Sequence, residues 1–147
     1  MFKLECIKEI QIDPKNHYMV HDGIELTNEN FGIVIDESIK IYDGKNYQLI
    51  KNINEYKSTV HTLCSIKNNN FISASYEDSR LIFWENESDD YINQFCINDI
   101  KICVNKTLIF DDNKNIILVG TGNTILIIDG DKYNILKKII IDESEYS

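Results

Sequence analysis

TVHTLCSIKNNNFISASYEDSRLIFWE, residues Thr59 to Glu85, is the stretch that decides the fold. Its apolar runs are Val60 to Ile66, Phe71-Ile72 leading into Ser73-Ala74-Ser75, and Leu81-Ile82-Phe83-Trp84. Between them lie the polar turns Lys67-Asn68-Asn69-Asn70 and Tyr76-Glu77-Asp78-Ser79-Arg80. Short β-branched and aromatic runs separated by Asn-, Asp- and Ser-rich turns specify a meander of three antiparallel strands.

The unit recurs on both sides. Upstream, Tyr18 to Leu26, Phe31 to Ile35 and Ile39 to Tyr42 are separated by Thr27-Asn28-Glu29-Asn30 and Asp36-Glu37-Ser38. Val20-His21 stands where Val60-His61 stands, Asn30-Phe31 where Asn70-Phe71 stands, and Tyr42-Asp43 where Trp84-Glu85 stands. Downstream, Thr107 to Phe110, Ile116 to Val119 and Ile125 to Asp129 repeat the pattern. The terminal acids are 42 positions apart from Asp43 to Glu85 and 44 from Glu85 to Asp129.

A fourth strand-like segment, opened by a tyrosine, follows each copy: Tyr47 to Ile53, Tyr91 to Ile97 and Tyr133 to Ile141. Four strands in a repeat of this length are a propeller blade. The expected fold is all-β: one domain over residues 1–147, with three consecutive four-stranded antiparallel blades over roughly 16–54, 57–98 and 100–142. An extra strand over 2–12, ended by Asp13-Pro14, precedes them. A β-sandwich built from ordinary meanders is the rival architecture, distinguished by strands that cross between two facing sheets.

Composition agrees and excludes other classes. The chain has 147 residues, 43% of them hydrophobic, which suffices for a buried core, and it has one proline and six glycines. A net charge of -9 repels phosphates, so neither nucleic acid nor an anionic membrane is expected as a partner. No apolar run is long enough to span a membrane, and Lys3 and Glu5 interrupt any secretory signal at the start. Cys6, Cys64, Cys96 and Cys103 lack CxxC spacing and read as thiols on strands in a reducing compartment. The sequons at Asn86 and Asn105 are then chance matches. The expected location is the cytoplasm, or the nucleus by association.

On these residues the chain resembles the WD-repeat family, and the second copy carries most of the likeness. Phe71-Ile72-Ser73-Ala74-Ser75 resembles the family's second strand, Asp78 its tight-turn aspartate, and Leu81-Ile82-Phe83-Trp84-Glu85 its third strand, with Glu85 in place of the final aspartate. Asp36 and Tyr42-Asp43 hold those places in the first copy, Gly122 and Ile128-Asp129 in the third. Glu55-Tyr56 falls where the family's opening glycine-histidine stands. The resemblance implies a non-catalytic scaffold for protein partners.

The residues themselves favour structural roles. Trp84 is expected to bury its ring and to offer its indole N–H to Ser73 or Ser75, while Asp78 accepts backbone amides in its turn. His21 and His61 are equivalent under the repeat and are expected about one blade apart rather than face to face. His17 reads as a solvated loop residue. Without a third ligand in spacing no metal site follows. No nucleophile or phosphate-loop motif is present, Gly120-Thr121-Gly122 is a hairpin turn, and the paired acids such as Asp111-Asp112 fall in turns. The expected site set is therefore structural: Trp84, Asp78, Ser73, Ser75, Asp36 and Tyr42, with no catalytic, cofactor or metal residues. The alternative is a propeller whose enzymatic or small-ligand site lies on a central channel only partly encoded here.

Closed propellers have roughly four to eight blades, and three cannot close. The sequence predicts first a fragment of a longer propeller, and second a chain that self-associates or joins a protein supplying further blades. An isolated arc would leave broad apolar faces bare.

Overall fold

The computed structural model describes residues 9–10, 18–75, 77–88, 90–97, 104–111, 116–121 and 123–141. The first sheet consists of β1 (Val20–Glu25), β2 (Phe31–Ile35), β3 (Ser38–Tyr42) and β4 (Leu49–Ile53). The second consists of β5 (Thr62–Ser65), β6 (Phe71–Ser75), β7 (Arg80–Glu87) and β8 (Asp90–Ile97). The third consists of β9 (Val104–Asp111), β10 (Ile116–Thr121), β11 (Thr124–Asp129) and β12 (Asn134–Ile140).

Each sheet has four strands in sequence order, and every neighbouring pair is antiparallel. Consecutive strands thus stay within one sheet, which is the propeller arrangement and not the sandwich. The strand expected over 2–12 lies outside the described residues apart from Glu9 and Ile10, as do His17, Cys6, Cys103 and Gly122.

The three sheets share one irregularity. The pairing of third with fourth strand skips a residue between Ile41 and Tyr42, between Phe83 and Trp84, and between Ile127 and Ile128, leaving Ile50, Gln94 and Leu136 as the extra residues. A bulge at the same rung sharpens the local twist of each sheet in the same place. The repeat read from sequence is therefore a repeat of backbone geometry as well.

The turns follow their residue types. Left-handed φ values occur at Asp36 and Ser79 between second and third strands, and at Glu29, Asn68 and Asn69 between first and second. Short polar side chains enter this region at low steric cost. Tyr47 and Tyr133, expected to open the fourth strands, instead close the preceding turn at φ 62 and 53, ahead of β4 and β12. In the second blade the connection between the matching rungs is two residues longer, and pairing continues out to Glu87 and Asp90, so Ser88 takes the left-handed place and Tyr91 enters β8.

Alternation along the strands gives each sheet two faces, forward toward the next blade and rear toward the preceding one. The forward face of blade one, with Val34, Ile39, Ile41 and Ile53, packs against the rear face of blade two, with Tyr56, Phe71, Ile82, Trp84 and Tyr91. Ile72, Ala74, Leu81 and Phe83 on the forward face of blade two pack against Ile117, Val119, Leu126 and Ile128 of blade three. The middle blade is covered on both sides, so all five residues of β6 are buried. β1 lies against β5 and β5 against β9, so the first strands line the inner edge where the blades converge.

Candidate functional site

The densest polar arrangement lies on the rear face of blade two. Trp84, 3% exposed, donates its Nε1 proton to Ser73 Oγ at 2.7 Å. The Tyr56 hydroxyl lies 2.8 Å from the same oxygen. Ser73 is fully buried, and one serine oxygen serves both an indole and a phenol that burial would otherwise leave without partners. Burial drives the Tyr56 phenol far above its ordinary pKa, against the opposing hydrogen bond from Ser73, so it remains protonated.

A second cluster sits above the first. Ser75 Oγ lies 2.9 Å from Ser58 Oγ, which donates to Asp78 Oδ1 at 3.0 Å. Asp78 Oδ2 accepts the Lys57 amide at 2.6 Å and pairs with Arg80 Nη2 at 3.0 Å. Arg80 also donates to the Glu55 carbonyl and places its guanidinium 5.0 Å from the centre of the Tyr56 ring, a cation–π contact. Burial alone would raise the Asp78 carboxyl. The Lys57 amide, the Arg80 guanidinium and the Ser58 hydroxyl outweigh it and hold the group below the ordinary carboxylate value.

These contacts fasten the turn after β6 to the segment that enters β5. Tyr56, which the sequence resemblance aligns with the family's histidine, bonds Ser73, while Asp78 turns to Ser58 and Arg80. Tyr56, Ser58 and Arg80 were not singled out from the sequence. The usable signal was Tyr56 itself, a hydrogen-bonding ring at the histidine position.

The first blade retains the geometry without the network. Tyr42 stacks on Phe31 at 5.4 Å between ring centres, as Trp84 stacks on Phe71 at 5.9 Å. Ile33 stands where Ser73 stands, and burial pushes the Tyr42 phenol up. Asp36 does work comparable to that of Asp78: its Oδ1 accepts the Met19 amide at 3.3 Å, and its carbonyl accepts the Val60 amide at 2.8 Å.

The inner edge corrects one expectation. His21 and His61 are not a blade apart: their ring centres are 6.1 Å apart, tilted by 50°, because first strands converge where repeat symmetry alone would separate them. His21 Nε2 lies 3.6 Å from Asp36 Oδ1, and Asp22 Oδ2 accepts the Leu63 amide at 2.8 Å. Among the described residues, no group of three or more His, Cys, Asp or Glu side chains is arranged to hold a metal ion. A depression of about 250 Å³ opens beside Tyr18, Asp36, Glu37, Ser38 and Lys40 at the rear of blade one.

Sheets of this form, joined at an inner edge, define an open, propeller-like all-β protein. No family model matches the chain, and no curated protein matches it. Among solved structures it is similar to the crystal structure of the Myceliophteria thermophila Cps50 (Swd1) beta-propeller domain, with a TM-score of 0.68 at 11% identity over 83% of this chain. The match spans 41% of that domain's chain.

Proposed function

We propose that the chain is a non-catalytic protein–protein interaction scaffold of the WD-repeat type and forms part of a larger propeller. The supporting observation is the use to which its polar groups are put. Ser73, Ser75, Asp78, Asp22 and Asp36 hold an indole, hydroxyls or backbone amides in place. Likeness to a beta-propeller domain of whose chain the match spans only 41% supports the second clause. Protein partners would meet the turns at the blade edges. The charge of -9 argues against nucleic acid and anionic membranes, and the thiols without pairing motifs suit the cytoplasm or nucleus.

Lysine-directed cross-linking in cells tests the reading. Lys45 and Lys132 stand on turns at one end of the blades, 79% and 77% exposed. Reproducible cross-links from them to one other protein are expected. Cross-links confined to this chain would remove the scaffold reading.

A second reading, a small-ligand site at the inner edge, is favoured by the approach of His21 to His61. Ligand-dependent shifts of both imidazole resonances, lost in His61→Ala, would support it over the first.

A further inference from the structure

The forward face of blade three repeats the forward face of blade one. In blade one, Ile39 pairs with Ile53 and Ile41 with Lys51. In blade three, Ile125 pairs with Ile139 and Ile127 with Lys137 at the same rungs. Three isoleucines and a lysine thus occupy matching places, yet their environments differ. Ile39 and Ile41 are fully buried and Ile53 is 4% exposed beneath blade two, whereas Ile125 and Ile127 are half-buried and Ile139 is 38% exposed. The last sheet carries the side chains of a covered face without a cover.

The interface already formed shows what such a cover contains. Blade two presents Phe71, Trp84 and Tyr91 to the isoleucines, and Asp90, the first residue of its outer strand, meets Lys51 Nζ at 2.5 Å. Lys137 projects from the same rung, so a matching occupant brings a carboxylate to it. Lys137 and Lys138 sit mid-strand on β12, the outer strand of its sheet, where two copies pairing edge to edge would set like charges side by side. The opposite end is also a poor counterpart, since Ile35 and Tyr42 at the rear of blade one are already 3% and 6% exposed.

We propose that the forward face of blade three docks a further four-stranded blade of different sequence, aromatic on its rear face and acidic at the start of its outer strand, with Lys137 as the charge that sets its register. The proposal rests on the reading of this chain as part of a larger propeller. Beyond that reading, it assigns the docking face and the chemistry of the blade that covers it.

The probe is the full chain extended beyond Ser147 by a second copy of its own residues 54–97, which supplies Phe71, Trp84, Tyr91 and Asp90 again. Amide exchange in β12 should slow by about tenfold or more on extension. Lys137→Glu should reverse the slowing, and the added Asp90→Lys change in the second copy should restore it. Unchanged exchange in β12 beside a folded extra blade overturns the proposal.

If the extra blade does not fold, Ile127→Glu in the unextended chain decides. A half-buried Ile127 on a bare face gives a fall in urea midpoint smaller than that of a buried core residue, and a fall as large as that of Ile41→Glu, its fully buried counterpart, overturns the proposal. Concentration-dependent protection of β12 in the unextended chain makes a second copy the occupant and likewise overturns it. The cross-linking experiment is independent of these outcomes, so either reading can fail alone.

Discussion

Trp84 and Ser73 are diagonal neighbours on the rear face of blade two, and the 2.7 Å bond between indole N–H and serine oxygen exists in this blade alone among the described residues. At the matching rungs blade three has Ile128 and Val119, both fully buried. In blade three the donor and its acceptor are replaced together by apolar residues; in blade one Tyr42 replaces the indole and Ile33 the serine. A hydrogen-bonding pair can give way to an apolar pair, while a single survivor leaves a buried polar group without a partner.

Ser73→Ala therefore strands both the Trp84 N–H and the Tyr56 hydroxyl, and should cost about 1–3 kcal/mol in urea denaturation. Trp84→Ala removes the ring from the blade interface and should cost about 3–5 kcal/mol. Ser73→Thr keeps the oxygen and should fall nearer the parent. A Ser73→Ala protein as stable as the parent would show that the shared serine contributes nothing.

Asp78 gives stability a dependence on acid. Its carboxyl titrates lower in the folded chain than in the unfolded one, so the unfolded chain binds more protons at about pH 4 and below. The contribution is present in full above the unfolded value and is lost as pH falls through the folded value. Asp78→Asn removes this linkage and the Arg80 ion pair. Its urea midpoint should lie below the parent's at pH 7, and the gap should narrow toward pH 2–3. A constant gap across that range would place the acid sensitivity elsewhere.

Much of the architecture was legible because strand signals and turn signals agree locally. Phe71 to Ser75 and Leu81 to Trp84 are short β-rich runs bounded by Asn, Asp and Ser, and the spacing of Asp43, Glu85 and Asp129 carried the repeat. What sequence could not supply was anything decided by approach between blades. The meeting of His21 with His61 depends on the convergence of β1 and β5, and the bond from Tyr56 to Ser73 depends on how the crossing segment folds over the sheet. The left-handed turns at Tyr47 and Tyr133 were hidden because tyrosine otherwise signals strand.

The turn joining β5 to β6 offers a test of backbone strain. Asn68 has φ 60 and ψ 34, in the left-handed region, and Asn69 has φ 61. Asn68→Val forces a β-branched side chain into that conformation and should cost about 1–2 kcal/mol, whereas Asn68→Gly should be tolerated. Denaturation midpoints of the two variants check it. Equal midpoints would mean that the turn does not hold this conformation in solution.

The last prediction concerns Gly44 and the acid before it. Asp43 follows β3 in blade one and Asp129 ends β11 in blade three, each followed by glycine, and each nucleates the next turn. Asp43 Oδ1 accepts the amides of Lys45 and Asn46 at 2.7 and 3.0 Å, and Asp129 Oδ1 accepts those of Asp131 and Lys132, each at 3.0 Å. Those amides, Asn46's foremost, hold the Asp43 carboxyl below its ordinary value. The turn also leans on its neighbour: a Cβ on Gly44 would stand 1.8 Å from the Glu29 carbonyl oxygen, inside any possible contact. Glycine is required here by close backbone approach. Gly44→Ala must push apart the two turns at that end of blade one, and should cost more than about 2 kcal/mol, in the upper part of the range for overpacked sites. Hydrogen exchange should quicken at the amides of Leu26 and Glu29, which bond within the displaced turn. A variant with parental stability and unchanged exchange at those amides would show that the two turns do not touch.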